Sequence, residues 1–258
     1  MTGVQTCALP ISIVNNDAKS LEWCTYLFLS QDETGIKEWN NVVKYPDKYP
    51  DIHTSNQNTF KLPTRLIAKI LLFRAIYADP EKAAFAYSKD PDFAQVSKKV
   101  SYWQDVLDNF FKKYSGLKKK HIQFIQQATT TGKIVSPFGR EYIYEPRLIN
   151  GEYKWSIPDI LNWPNQGLGA DVMAIVRIVT QHGRKKRNIR GDFISTVHDS
   201  VVFDVPSADV DKVAILMRDV YEHLPYYIEK YLGVKWNVVM LGETSVGPNL
   251  KDLTEYKI

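Results

Sequence analysis

Between Ser195 and Val205 the chain reads Ser-Thr-Val-His-Asp-Ser-Val-Val-Phe-Asp-Val, two runs rich in β-branched residues broken by His198 and Asp199. Val, Thr and Phe suit a pleated, half-buried surface, so the flanks are predicted as two short strands and His198-Asp199-Ser200 as the tight connection between them. Strands joined by so short a turn run antiparallel, which commits this part of the chain to an antiparallel sheet. The turn has two readings. Asp199 is either an ordinary turn aspartate that bonds its own backbone or a carboxylate aimed from a hairpin tip.

A chain of 258 residues buries a sizeable core in one large domain or two smaller ones. No apolar run approaches the ~20 residues of a membrane span, so no membrane partner is expected. Cys7 and Cys24 make no disulfide framework and lack metal-ligand spacing, which suits a reducing, cytoplasmic setting. A net charge of +4 permits a polyanionic partner without demanding one. The opening Met-Thr-Gly-Val-Gln-Thr-Cys-Ala-Leu-Pro-Ile-Ser fits neither a folded element nor a signal peptide and resembles translated sequencing-adapter sequence. Residues 1–12 are therefore expected to be non-native, with native sequence starting near Ile13 and a longer protein upstream.

Ile13-Val14 reads as a strand end, followed by polar Asn15-Asn16-Asp17 and a helix from Leu21 to Ser30. Asp32 to Pro50 is polar and reads as connection. A helix follows with Thr64 as N-cap and Pro80 as its stop. Glu81 to Thr131 is mainly helical, and Gly132 to Tyr144 carries strand signals around Pro137-Phe138-Gly139. The segment Asn162 to Asp171 leads into an apolar helix through Gln181, then a basic loop with Arg184 to Arg187 and Arg190. Val210 to Tyr231 is predicted as one helix and Trp236 to Leu241 as the last strand. Trp103, Trp155 and Trp236 are expected in the core, and Asp204 is expected to be exposed.

Arg65, Lys69, Phe73 and Tyr77 recur at steps of four, and each step drifts only about 40° around a helix, so they form one slowly winding stripe. Leu66, Ile67, Ile70 and Leu71 fall elsewhere and can dock the helix on a core. Two cations near a helix N-terminus with aromatic rings beyond them suit a polyphosphate head on a flat or sugar-like body. The plain reading is a solvated face with two stray aromatics. Asp17 is likewise either a helix-start residue, with Glu22 favouring the dipole, or the partner of Asp199 in a two-carboxylate platform for Mg²⁺. Two such ions can activate an attacking hydroxyl and stabilise leaving pyrophosphate.

Taken together, these segments resemble the polymerase motifs of family A DNA polymerases. Asp17-Ala-Lys-Ser-Leu-Glu22 is similar to the family's Asp-Tyr-Ser-Gln-Ile-Glu, Arg65-x3-Lys69-x3-Phe73-x3-Tyr77 matches its nucleotide-closing helix, and Val197-His198-Asp199 matches its third motif. Asp51-Ile52-His53 with Leu62-Pro-Thr64, Gly247-Pro248-Asn249 and the Asn162-x-Pro-x-Gln166-Gly167 segment extend the resemblance, the first two toward the phage branch.

The resemblance implies an α+β fold: a palm of antiparallel sheet backed by helices, from residues 13–48 and 155–258, with a mainly helical fingers insertion at 49–154. It implies two Mg²⁺ ions on Asp17, Asp199 and the Ala18 carbonyl. Arg65, Lys69 and His53 would contact the triphosphate, with Lys69 protonating the leaving group. Phe73 and Tyr77 would pack on base and sugar, and Glu22 would block a ribose 2′-hydroxyl. His198 would sit near the primer terminus, and Asn162 and Gln166 in the minor groove. The implied partners are a DNA primer-template and dNTPs, in phage replication. A processivity factor or helicase is left unspecified.

The chain departs from the family pattern at Ser200, where the third motif carries Glu, and at Arg74 and Ala78, where glycines are usual. Ala18 and Ser20 replace Tyr and Gln, and Pro158 stands near a usual Arg. Arg184 to Arg190 and Lys112 to Lys120 are either DNA-phosphate contacts or solvated runs. Two rival functions remain: a single-subunit phage-type RNA polymerase, favoured by His198-Asp199-Ser200 and opposed by Glu22 and Phe73, and a non-catalytic DNA-binding remnant.

Overall fold

Residues 11–257 are described by the computed structural model. In chain order come β1 (Ile11–Ala18), α1 (Leu21–Ser30), α2 (Glu33–Lys44), α3 (Ile52–Phe60), α4 (Arg65–Ala75), α5 (Ala83–Lys89), α6 (Pro91–Ala94), α7 (Val100–Lys113) and α8 (Ser115–Thr131). Two hairpins follow, β2 (Lys133–Val135) with β3 (Glu141–Ile143) and β4 (Arg147–Ile149) with β5 (Glu152–Lys154). The chain ends with α9 (Ile157–Lys186), β6 (Asp192–Val197), β7 (Ser200–Pro206), α10 (Val210–Glu222), α11 (Leu224–Leu232), β8 (Gly242–Gly247) and β9 (Thr254–Glu255). The fold is α+β, as predicted, and the described chain divides into two compact units. The first comprises residues 11–21, 169–236 and 240–257, the second residues 22–168 and 237–239.

The first unit is built on a five-stranded antiparallel sheet in the order β6-β7-β1-β8-β9. Its centre explains its sequence. On β7, Ser200, Val201, Val202, Phe203 and Val205 are all buried, so both faces of that strand are covered and alternation is lost. Asp204 is accordingly half-buried rather than exposed. The β6–β7 hairpin closes through His198 and Asp199 with Val197 opposite Ser200, and His198 supplies the left-handed turn at φ +53°. β1 runs on through Asn15-Asn16-Asp17, which polarity alone places outside the strand. Asn16 tolerates burial there because its amide donates to Thr244 Oγ1 on β8 at 2.8 Å. Gly191, at φ +107°, lies where a Cβ would strike the Asp204 carbonyl, so the turn into β6 requires glycine.

The second unit is mainly helical, around aromatic clusters such as Trp23–Tyr114 and Tyr87–Phe93–Trp103, with ring centroids 4.6 to 6.1 Å apart. Its hairpin around Pro137-Phe138-Gly139 forms where predicted.

Several expectations are corrected. Residues 33–44 form helix α2 rather than connection, because the buried Asp32 carboxylate caps the Gly35 N–H at 2.7 Å and Trp39 anchors one face. Trp236 to Leu241 is not a strand. Side chains of α2 take its backbone groups instead: Trp39 Nε1 donates to the Val239 carbonyl at 2.7 Å, and Asn40 Oδ1 accepts from its N–H at 2.9 Å. The predicted helix over Val210 to Tyr231 breaks at His223, with Pro225 opening α11. The basic run Arg184 to Lys186 ends α9 instead of forming a loop. Trp103 and Trp236 are core residues, whereas Trp155 is half-buried and lines a cavity of about 300 Å³ with Tyr144 and Trp163. Of the segment predicted to be non-native, residues 1–10 lie outside the described residues, and Ile11 and Ser12 pair with β7.

Candidate active site

Sheet register brings the two marked carboxylates together. β1 pairs with β7 so that Asp17 faces Ser200, and the Ala18 N–H donates to the Asp199 carbonyl oxygen at 2.8 Å. The half-buried Asp17 and Asp199 carboxylates lie close enough to feel each other's charge. Burial and then the Asp199 charge push the Asp17 carboxyl up to about 6. Glu243, opposite Asp17 on β8, adds to that field while pairing with Lys19 at 2.6 Å. Sequence reasoning passed over Glu243, since only sheet register places it there. Under the pair lies Tyr221, whose phenol is pushed up by burial and by both aspartates. Gly242 leaves room for that ring, because a Cβ there would strike Tyr221. Ser200 does not replace the absent Glu with another acid. Its hydroxyl donates to the Val197 carbonyl at 3.0 Å and braces the hairpin. His198 is exposed at the tip.

The second unit carries the stripe. Thr64 caps α4 as expected, accepting from the Ile67 N–H at 3.2 Å, but the helix ends at Ala75 and Tyr77 lies just beyond it. The docking face is Ile67, Ala68, Leu71, Leu72 and Ala75, while Leu66 is exposed and Ile70 half-buried, against expectation. Arg65 pairs with Asp51, the cap of α3, at 3.0 Å, and the guanidinium helps hold the Asp51 carboxyl well below the usual range despite burial. Lys69 is exposed one turn on. His53 is buried, with its ring 6.0 Å from that of Phe73. Burial, then the Arg65 charge, push its imidazole down to about 4, so it is uncharged at neutral pH. Arg74 is accounted for by its ion pairs to Asp90 and Asp92 and by its place over the Phe93 ring.

Glu22, Tyr77 and Gln166 form one hydrogen-bonded group. Gln166 Nε2 donates to Glu22 Oε1 and to Tyr77 Oη, the latter at 3.3 Å. Tyr77 is pushed up by burial and by the Glu22 charge. The group's buried centre is Asn165, a residue that the motif comparison leaves unassigned. Its Nδ2 donates to Tyr77 Oη at 2.7 Å and to the Glu22 carbonyl at 3.0 Å. Asn162, half-buried one turn earlier on α9, makes no hydrogen bond within this group.

The basic runs resolve in part. Arg184, Arg187 and Arg190 pair with Asp192, Asp219 and Asp209 respectively, and Lys113 pairs with Glu38. These four have acidic partners within the protein, and Lys118 and Lys119 are exposed. Among the described residues no helix is long and apolar enough to cross a membrane.

Comparison with known proteins places these features in context. The family model "DNA polymerase family A" matches residues 12–252. DNA polymerase I of Treponema pallidum is 28% identical over 242 residues, 87% of this chain and 22% of the relative. That of Chloroflexus aurantiacus is 23% identical over 67% of this chain and 18% of the relative. The DNA polymerase of Bacillus phage SP01 is 34% identical over 38% of this chain and 10% of the relative. The chain thus spans less than a quarter of the length of these curated relatives. Its fold is similar to that of the POL domain of Pol1 from M. smegmatis, solved in complex with DNA primer-template and dNTP, at a TM-score of 0.71 and 18% identity over 92% of this chain and 40% of that one. With the model matching from β1 through Asp252, this chain belongs to DNA polymerase family A.

Proposed function

We propose that the chain carries the nucleotidyl-transfer centre of a template-directed DNA polymerase, which joins a dNTP to a primer 3′-hydroxyl and releases pyrophosphate. The observation that carries this reading is the Asp17–Asp199 pair, set on adjacent strand ends by the Ala18-to-Asp199 backbone bond.

The donor set fits Mg²⁺. Two carboxylates this close repel when both are ionised, which together with burial raises the Asp17 carboxyl, and among the described residues neither is ion-paired to a lysine or arginine. Asp17, Asp199 and the Ala18 carbonyl would hold the metal. Bound there, Mg²⁺ ions would lower the charge barrier between the attacking 3′-oxygen and the triphosphate.

The chain's own groups do the rest. Arg65 and the exposed Lys69 receive the triphosphate, and Asp51 holds the guanidinium in place for it. Lys69 donates a proton to the leaving pyrophosphate oxygen as the bond to the α-phosphorus breaks. His53, uncharged, offers a hydrogen bond rather than a third cation. Phe73 lies against base or sugar, and the Glu22–Tyr77 pair closes the space a 2′-hydroxyl would need, which favours dNTPs over the RNA polymerase reading. Asn162 and Gln166 read the minor groove, and His198 lies at the primer terminus. A role in phage replication draws support from the likeness to the SP01 polymerase.

Calorimetric titration with Mn²⁺ tests the metal assignment without turnover. Binding is expected in the wild-type chain and is expected to be lost in Asp17→Asn and Asp199→Asn. Equal binding in all three would overturn the assignment.

A further inference from the structure

We propose that Asn165 is a positioning residue for sugar selection: its amide commits the Tyr77 hydroxyl proton to Glu22 and so sets how strictly the site rejects ribonucleotides. The inference rests on the reading of Glu22 and Tyr77 given above and extends it to an unassigned position within the Asn162 to Gly167 segment.

Asn165 is 1% exposed, yet every polar atom of its side chain has a partner. Oδ1 accepts from the Thr25 hydroxyl at 2.7 Å, and Nδ2 reaches both Tyr77 Oη at 2.7 Å and the Glu22 backbone carbonyl at 3.0 Å. A carbonyl only accepts, so the Glu22 oxygen fixes which end of the amide is nitrogen. The orientation is forced, and it determines what Tyr77 can do. The phenol oxygen accepts from Asn165 and, at 3.3 Å, from Gln166, so its own proton is left to donate, and the Glu22 carboxylate, which shares the Gln166 amide with Tyr77, is the acceptor we assign to it. One buried amide thereby joins the first turn of α1, through Glu22 and Thr25, to Tyr77 just beyond α4.

Losing that amide frees the Tyr77 hydroxyl to turn and slackens the Glu22 backbone by one bond. The acidic side chain would then be held by Gln166 alone and could yield to a 2′-hydroxyl. In Asn165→Asp, the new carboxylate would itself accept the Tyr77 proton and repel Glu22. Thr25→Val removes the Oδ1 partner and the 3.1 Å contact of the Thr25 hydroxyl with the Glu22 carbonyl, and leaves both Asn165 donor bonds in place.

The test is single-nucleotide incorporation opposite template G, comparing kcat/KM for CTP and dCTP. Asn165→Leu and Asn165→Asp are expected to raise the CTP-to-dCTP ratio about tenfold, mainly through a lower KM for CTP, with a smaller rise for Thr25→Val. A purely structural amide would lower the melting temperature of these variants and leave the ratio unmoved. If wild-type protein adds dCMP and the ratio is unchanged in whichever Asn165 variant folds, the role of Asn165 is overturned while the polymerase reading stands. If wild-type protein adds no nucleotide under single-turnover conditions, both fall together.

Discussion

Phe73 is half-buried beside His53, and a phenyl ring there cannot donate the hydrogen bond that a phenol could offer in place of a missing 3′-hydroxyl. The protein is therefore expected to discriminate against dideoxynucleotides, and Phe73→Tyr to relax this by about tenfold or more, read as the ratio of dideoxy to deoxy incorporation. A different residue governs pH dependence. His121 is buried, its Nε2 bonded to the Ile76 carbonyl at 3.0 Å, and burial pushes its imidazole down to about 4. Because the unfolded histidine takes up a proton more readily, its stabilising effect is complete above about pH 6.5 and is lost as pH falls toward 4, a change on the order of 3 kcal/mol. His53, also near 4, adds in the same direction. Urea unfolding at pH 7 and pH 4.5 should show this loss, and His121→Leu should flatten it. Asp17 and Asp199 were legible in the sequence because a strand end and a hairpin tip are local patterns. Asn165 and Glu243 were not, since their importance arises from a three-segment meeting and a strand register that no local pattern encodes.

Helix α2 shows why some elements escape sequence reading. Glu33 to Lys44 carries little apolar content, and its helical state rests on the Asp32 cap and the buried Trp39. Asp32 works at two places, accepting from the Gly35 N–H at 2.7 Å and from the Gly116 N–H at the start of α8 at 2.6 Å. Gly116 allows that approach, since a Cβ there would lie 2.8 Å from the Asp32 Cα. Asp32→Ala should cost about 2 kcal/mol, the loss of a cap together with a buried N–H left unpaired. Denaturant titration checks it, and a change below about 0.5 kcal/mol would show that α2 does not depend on this cap. α4, by contrast, was legible at its start from Thr64 and was overextended at its end, because Tyr77 turns aside to the Asn165 amide before Pro80 is reached. The last strands were misplaced for a related reason. The β-branched Val238-Val239 stretch gives its backbone groups to α2, while the glycine-flanked Gly242–Gly247 segment completes the sheet beside β1.

At the scale of the whole molecule, the α+β architecture was legible through the family resemblance, and the local strand signals near residues 13 and 195–205, with helix signals between them, agree with it. The division into units was harder to read, since α9 contributes residues 157–168 to one unit and 169–186 to the other. Six separated segments carried the family resemblance because each needs its own residue types at its own spacing. The proposed function turns on Asp17 and Asp199, the pair that would make this chain a template-directed, metal-dependent nucleotidyltransferase. Single-turnover extension of a primer-template by one nucleotide, with protein in excess to offset weak DNA binding, tests it most directly. In Mg²⁺ the wild-type chain should add the complementary dNMP and none after chelation, and Asp17→Asn and Asp199→Asn should each slow addition by about a thousandfold or more. Addition by either variant at near wild-type rate, or addition indifferent to the template base, would contradict it.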